Sequence, residues 1–227
     1  MPPVDIHTHL KPLLPGTAIE SCRPEEFFPQ AGGYYSVGLH PWFLPDVSDD
    51  ASAGEPQTFP EHILREQLER VARCAAHPQV LAIGEAGLDK LARAPFSLQL
   101  ELFRRQALLA ETLQKPLIIH LVRATAELLH LRRLLAPAMP WIVHGFRGKA
   151  TLARELLHHG LFLSFGEKYQ ETALQATPAD RLFLETDESP CSVEALYSHA
   201  AQVRGIPPQE LRQTVEANIQ RCFFCHK

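Results

Sequence analysis

Short apolar runs alternate with amphipathic stretches along almost the whole of this 227-residue chain. The runs read PPVDIHTH, TAIESC, YYSVGLH, QVLAIGE, PLIIH, WIVHG, LFLSFG and RLFLETD, and they predict strands. The segment FSLQLELFRRQALLAETLQ, residues 96–114, has the three-to-four spacing of a helix with one apolar face. Similar spacing recurs in ILREQLERVARCAA, TAELLHLRRLLA and KATLARELLHH, each lying between two of the apolar runs. Repeated strand–helix units with strands this apolar imply a parallel sheet covered by helices. Eight strands, counting the weak TAIESC, fit an α/β fold of the closed (β/α)8 TIM-type barrel class better than a doubly wound sheet. Between Leu10 and Tyr34 there is little room for a full helix–strand–helix passage, so the barrel is expected to be reduced or irregular near its second strand. The polar segment from Leu44 to Pro60 reads as a loop and not a linker, because the pattern resumes unchanged after it. One domain spanning 1–227 is the expectation.

Charge and composition narrow the classes of partner. The chain carries 22 basic and 26 acidic residues, a net charge of -4, with no cluster of Lys or Arg that would track a nucleic-acid backbone. Any anionic substrate must therefore be held locally. No basic leader precedes an apolar run and no stretch of 18 apolar residues occurs, which argues against a signal peptide or a membrane span and makes a cytoplasmic location the expectation. Cys22, Cys74, Cys191, Cys222 and Cys225 are odd in number and lack framework spacing, so they read as free thiols. The tail CFFCHK matches the CxxCH pattern of haem attachment, but it ends what looks like a helix, and packing is the reading preferred.

The chemistry begins at DIHTHL. Asp5, His7 and His9 are two apart, so on a strand they share one face with neighbours about 6–7 Å apart. Glu85, His120, His144 and Asp187 each end a later apolar run. In a barrel those positions converge on the face that carries active sites. Burying such polar groups without partners is costly, and a metal centre of one or two ions removes the cost. With two divalent cations, four neutral imidazoles and two carboxylates leave a net charge of about +2, which suits an anionic substrate.

The segments DIHTHL, SVGLHPW, AIGEAGLD, PLIIH, HGFRG, FGEKY, LFLETDESP and ANIQRCF, in this order and spacing, resemble the TatD family of metal-dependent hydrolases, a branch of the amidohydrolase-like barrels. The likeness covers essentially the whole chain. It implies a two-metal centre, with His7, His9, Glu85 and Asp187 at the first ion, and Glu85, His120 and His144 at the second. Glu85 would bridge them. It also implies hydrolysis of phosphodiester bonds in DNA, of a 3'-5' exonuclease kind, by metal-activated water, with Asp187 orienting the nucleophile and accepting its proton. His40 in GLHPW would contact substrate; from this chain's own residues, Trp42 would stack on a base or close the barrel mouth, and Arg123, Arg147 and Lys168 would form a basic rim. Asp89 would orient the loop after Glu85 or bond a ligand histidine; a role for Lys90 is less marked.

The chain departs from the family pattern in three places. Relatives carry IHxR after the fifth strand, where this chain has IHLVRA and so places its arginine one residue later, at Arg123. Arg147 and Lys149 in HGFRGKA stand where relatives show FSG. After ETD a helix is expected almost at once, at ESPCSVEALY, where relatives have a long loop. The ligand set permits Zn, Mn, Ni, Co or Mg. The expected partner is DNA or a small phosphodiester, with no membrane and no required protein partner, and the chain is expected to be a monomer. Two other readings compete: an amide, cyclic amide or lactone hydrolase of the same fold, since activated water does not choose its electrophile, and a non-catalytic binding protein.

Overall fold

The computed structural model describes residues 3–44 and 61–224. All eight predicted strands form: β1 Asp5–Thr8, β2 Ala18–Cys22, β3 Tyr34–Val37, β4 Val80–Asp89, β5 Leu117–Val122, β6 Trp141–Val143, β7 Phe162–Phe165 and β8 Leu182–Leu184. They follow one another around a single sheet in chain order, every neighbour parallel. The ring closes just beyond β8, where Thr8 bridges to Asp187. There the His9 amide donates to the Asp187 carbonyl at 3.0 Å and the Asp187 amide donates to the His7 carbonyl at 2.9 Å. The fold is thus a (β/α)8 barrel whose seam lies beside the first histidines.

Helices α1 Glu61–Ala75, α2 Phe96–Thr112, α3 Thr125–Leu135 and α4 Ala150–His158 fall where the apolar spacing puts them, and α5 Glu171–Ala176, α6 Val193–Arg204 and α7 Pro208–Ile219 follow. Helix α6 begins six residues after Asp187, as the early restart of the helical pattern predicts. Neither the β1–β2 nor the β2–β3 connection contains an α-helix; only a short 3-10 turn, Pro24–Glu26, follows β2. This is the irregularity expected near the second strand. No helix among the described residues is long and apolar enough to cross a membrane. Most of the polar segment between Leu44 and Pro60, and the Cys225 and His226 of the haem-like pattern, lie outside the described residues.

The sequence reading placed Glu85 and His120 at strand ends, and the structure corrects this. β4 runs four residues beyond Glu85, because Ala86, Gly87, Leu88 and Asp89 pair with Ile119 to Val122 of β5. Gly87 lies directly against the His120 backbone, where any Cβ would collide with the His120 carbonyl and Cβ. The missing side chain is what lets these two strands approach and keeps the ligand-bearing residues together.

On the outside, Leu64 of α1 packs on Leu98 and Leu102 of α2. Arg105 fastens the same two helices, donating to both Glu61 oxygens at 2.6 and 2.7 Å and to Glu101 at 2.6 Å. The guanidinium groups of Arg104 and Arg105 pull the Glu101 carboxyl down from 4.5 to about 2. Its folded value lies below the unfolded one, so its contribution is complete above about pH 4.5 and disappears as pH falls towards 2. Replacing Glu101 with Gln is expected to cost about 0.5–1 kcal/mol in urea unfolding at pH 7, a modest effect because the pair is solvent-screened. The gap from wild type should shrink as the pH is lowered through 4.

Candidate metal centre

Six sequence-predicted ligands and His40 converge at the carboxyl-terminal mouth of the barrel. β1 delivers His7 and the residue after it delivers His9; β4 delivers Glu85 and β5 His120; His144 and Asp187 lie just past β6 and β8. Asp187 has φ +57, a left-handed conformation that Asp tolerates better than most residues. Asp5 faces the same interior and serves as a strut: its carboxylate accepts from the His7 amide (3.1 Å), the Thr186 amide (3.2 Å) and the Thr186 hydroxyl (2.7 Å). Burial outweighs these bonds and pushes Asp5 up to about 7.

Glu85 is the hub. It is 5% exposed, and its two oxygens face different groups of rings. Oε2 lies 3.4 Å from His7 Nε2 and 3.2 Å from His9 Nε2. Oε1 lies 2.6 Å from His144 Nε2, 2.9 Å from His120 Nδ1 and 3.2 Å from His40 Nε2. Asp187 Oδ1 stands 3.8 Å from both His7 and His9. Burial pushes Glu85 up, but the surrounding histidines, His144 first, hold it well below the usual carboxylate range. Burial pulls His144 down, and Glu85 and Glu185 raise it well above its ordinary value. Burial and the neighbouring His144 lower His7.

Two observations show that divalent ions fit this array. His7 is fully buried, and among the described residues neither of its ring nitrogens has a hydrogen-bond partner, an arrangement that is costly without a ligand. The other is the proton count around Glu85 Oε1. His120 Nε2 meets Asp89 Oδ2 at 3.1 Å and His144 Nδ1 meets Glu185 Oε1 at 3.3 Å. Neutral rings that donate outward to those carboxylates turn bare lone pairs inward, at His120 Nδ1 and His144 Nε2. Without an ion the proton of a charged His144 serves Glu85 Oε1 at 2.6 Å; a divalent ion that displaces that proton finds a carboxylate oxygen and two nitrogen lone pairs. By distance, His7, His9 and Glu85 form one group able to hold an ion; His7, His144 and Asp187 form a second; Glu85, His120 and His40 form a third. Divalent ions can therefore be coordinated on both sides of Glu85.

Glu185 was missed in reading the sequence. It is fully buried and it orients His144 while accepting from the Gly145 amide at 2.5 Å. Its only signal was a carboxylate at the end of the LFLETD run, two residues before the more conspicuous Asp187. Glu185→Gln retains an acceptor for Gly145 but removes the charge facing His144, and we expect metal affinity, read by chelator competition, to fall about 10–100-fold.

An open cavity of about 1010 Å³ stands over the centre, lined on its basic side by Arg23, Arg123 and Arg147. Arg23 is committed to Glu25 and Glu26. Arg123 and Arg147 form no ion pair among the described residues. Arg123, displaced by one residue along the chain, has φ +55 and still lines the cavity. Trp42 donates its indole N–H to Asp89 at 2.6 Å and leaves its ring 64% exposed at the mouth. Lys168, expected at the rim, is an exposed residue after β7 and is not among the residues that line the cavity. Lys90 is paired with Glu127. His62, His77, His130, His158, His159 and His199 lie outside the site.

Fold and centre together define a metal-dependent hydrolase built on a (β/α)8 barrel. The family described as TatD related DNase matches residues 25–224, and the chain belongs to that family. It is 29% identical over 212 residues to the uncharacterized metal-dependent hydrolase YabD of Bacillus subtilis, covering 84% of this chain and 77% of that protein. It is also 29% identical over 249 aligned residues to the 3'-5' ssDNA/RNA exonuclease TatD of Cronobacter sakazakii, covering 93% of this chain and 86% of that one. Among solved structures, the TatD homologue YjjV of Escherichia coli superposes with a TM-score of 0.72 at 21% identity, over 91% of this chain and 85% of that chain. This last likeness concerns the fold.

Proposed function

We propose that this chain hydrolyses phosphodiester bonds at the ends of single-stranded nucleic acid or in smaller nucleotide-like esters. The observation that carries this reading is the pair of uncommitted guanidinium groups, Arg123 and Arg147, lining the same cavity as an array of imidazoles around one buried carboxylate. Similarity to exonucleases named for single-stranded DNA and RNA supports it.

In this proposal His7, His9, Glu85 and Asp187 would hold one divalent ion, and Glu85, His120 and His144 would hold the other. Bound there, the ions supply Lewis acidity, lowering the pKa of water and neutralising charge on the phosphoryl oxygens. Arg123 and Arg147 bind phosphate oxygens as planar donors. The exposed ring of Trp42, held by Asp89, offers a face on which a terminal base stacks. Asp187 accepts the proton of the attacking water as the new P–O bond forms. The bond to the leaving oxygen breaks, and the proton gained by Asp187 is then available to that oxygen. Asp89 and Glu185 keep His120 and His144 in the tautomers that face inward.

The test is a substrate panel of short single-stranded DNA, a generic phosphodiester, a cyclic amide and a lactone, with wild type and an Arg123→Ala/Arg147→Ala variant. Cleavage confined to the phosphodiesters is expected, with KM raised about tenfold or more in the variant, from two lost charge-assisted contacts. Turnover of amides or lactones that is indifferent to the variant would replace this reading with the alternative hydrolase.

A further inference from the structure

We propose that the wall of the barrel formed by α3 and α4 is a track for the phosphate backbone of single-stranded nucleic acid, continuing outward from the cavity. The chain as a whole carries -4, but residues 123–159 hold six basic and two acidic residues and so carry +4, leaving -8 for the remainder. Spread along the sequence these cations make no run, and no basic cluster stands out there. The fold gathers them onto one side of the barrel.

The two helices are tied together at both ends. At the mouth, Arg123 and Arg147, which lead into them, line the same cavity. At the far end, Arg132 of α3 donates to the carbonyl of His159, the residue that caps α4, at 3.3 Å. The helices therefore run side by side down the wall for about 16 and 13 Å. Leu128, Leu129 and Leu131 of α3, and Ala153 and Leu156 of α4, are buried against the barrel. The opposite faces meet solvent, with His130 and Arg133 on α3 and Arg154, Glu155 and His158 on α4.

The cations descend from the mouth in steps. Arg123, Arg147 and Lys149 stand at the rim, Arg154 lies about 6 Å along α4, and Arg133 about 12 Å along α3. All five are exposed, and none forms an ion pair among the described residues. Of the two carboxylates in this region, Glu127 is paired with Lys90, and only Glu155 opposes them. The arginines of α1 show the contrast: Arg65 is paired with Glu69 and Arg70 with Glu66. Unpaired cations on one wall of an otherwise negative chain create a local positive field, and a polyanion led out of the cavity is its complement. An acidic protein fits less well, because Leu134 is the one large apolar side chain exposed on these faces, too little for the core of a protein interface. The choice of nucleic acid rests on the phosphodiesterase reading above; the distribution of charge does not.

The test uses the full chain loaded with Zn and a 12-nucleotide single strand whose terminal linkages are phosphorothioates, which resist cleavage from the ends. Wild type is compared with Arg133→Gln/Lys149→Gln/Arg154→Gln on the wall, and with Arg65→Gln/Arg70→Gln/Arg73→Gln, which removes the same charge from α1. The wall variant should bind the strand about tenfold or more weakly at low salt. Its plot of log affinity against log salt should be shallower than that of wild type by about 2, from three lost phosphate contacts at about 0.7 each. The α1 variant should keep the wild-type slope. On a small generic phosphodiester, which ends at the rim, the wall variant should keep the wild-type kcat and KM. An unchanged slope in the wall variant, an equal loss in the α1 variant, or wall-dependent binding of phosphatidylserine vesicles with none of the strand would each overturn the proposal. Wall-dependent binding of the strand by a chain that cleaves no phosphodiester would instead remove the hydrolysis reading and leave the track in place.

Discussion

Glu85→Gln is expected to reduce phosphodiester cleavage by about 10³-fold or more and to lower the metal content of the chain by at least one ion. The size follows from position, since one side chain supplies the negative oxygen to both groups of histidines, with Oε2 facing His7 and His9 and Oε1 facing His120 and His144. Gln keeps the volume and removes the charge, so each ion loses its shared ligand and the electrostatic stabilisation that depends on it. The chain should remain folded, because the histidines can stand neutral once the carboxylate charge is gone. Metal analysis and initial rates on one preparation, with a thermal melt as the control for folding, check all three statements. Normal metal content with normal rates would remove Glu85 from the centre.

Asp187→Asn is expected to cost about 10²–10⁴ in kcat, the range for a positioned general base. This variant separates chemistry from architecture. The backbone of Asp187 closes the barrel through its bonds to His7 and His9, and its φ of +57 excludes most replacements. Asn tolerates that conformation nearly as well as Asp. The closure therefore survives, while the carboxylate that would take the proton is replaced by an amide that cannot. Cleavage retained within threefold of wild type, with metal content unchanged, would place the base elsewhere.

The frame of the barrel is legible in the sequence because each strand is buried on both faces, so apolar runs such as PLIIH and LFLSFG stand out against the helical spacing between them. The six proposed metal ligands were legible for a related reason: polar residues at the ends of apolar runs demand partners. What stayed hidden depends on neighbours that no local pattern encodes. β4 extends past Glu85 because Gly87 admits the His120 backbone, a contact between residues 33 positions apart. Glu185 is set against His144 by barrel closure, and in sequence it is overshadowed by Asp187. The bond from the Trp42 amide to His40 Nδ1 exists only once Pro41 turns the chain. Lys168 was over-read, since following a strand places a residue at the mouth of the barrel without aiming it at the cavity.

The central claim is that ions held around Glu85 carry out phosphodiester hydrolysis, and the most direct measurement is a paired titration. The chain is stripped with chelator and reloaded stepwise with Zn or Mn, and bound metal and cleavage of a short single-stranded DNA are read from the same samples. The account predicts no cleavage by the stripped chain and a rate that climbs with loading until both sides of Glu85 are filled, at about two ions per chain. Cleavage by the stripped chain, or full loading with the DNA left intact, would contradict it.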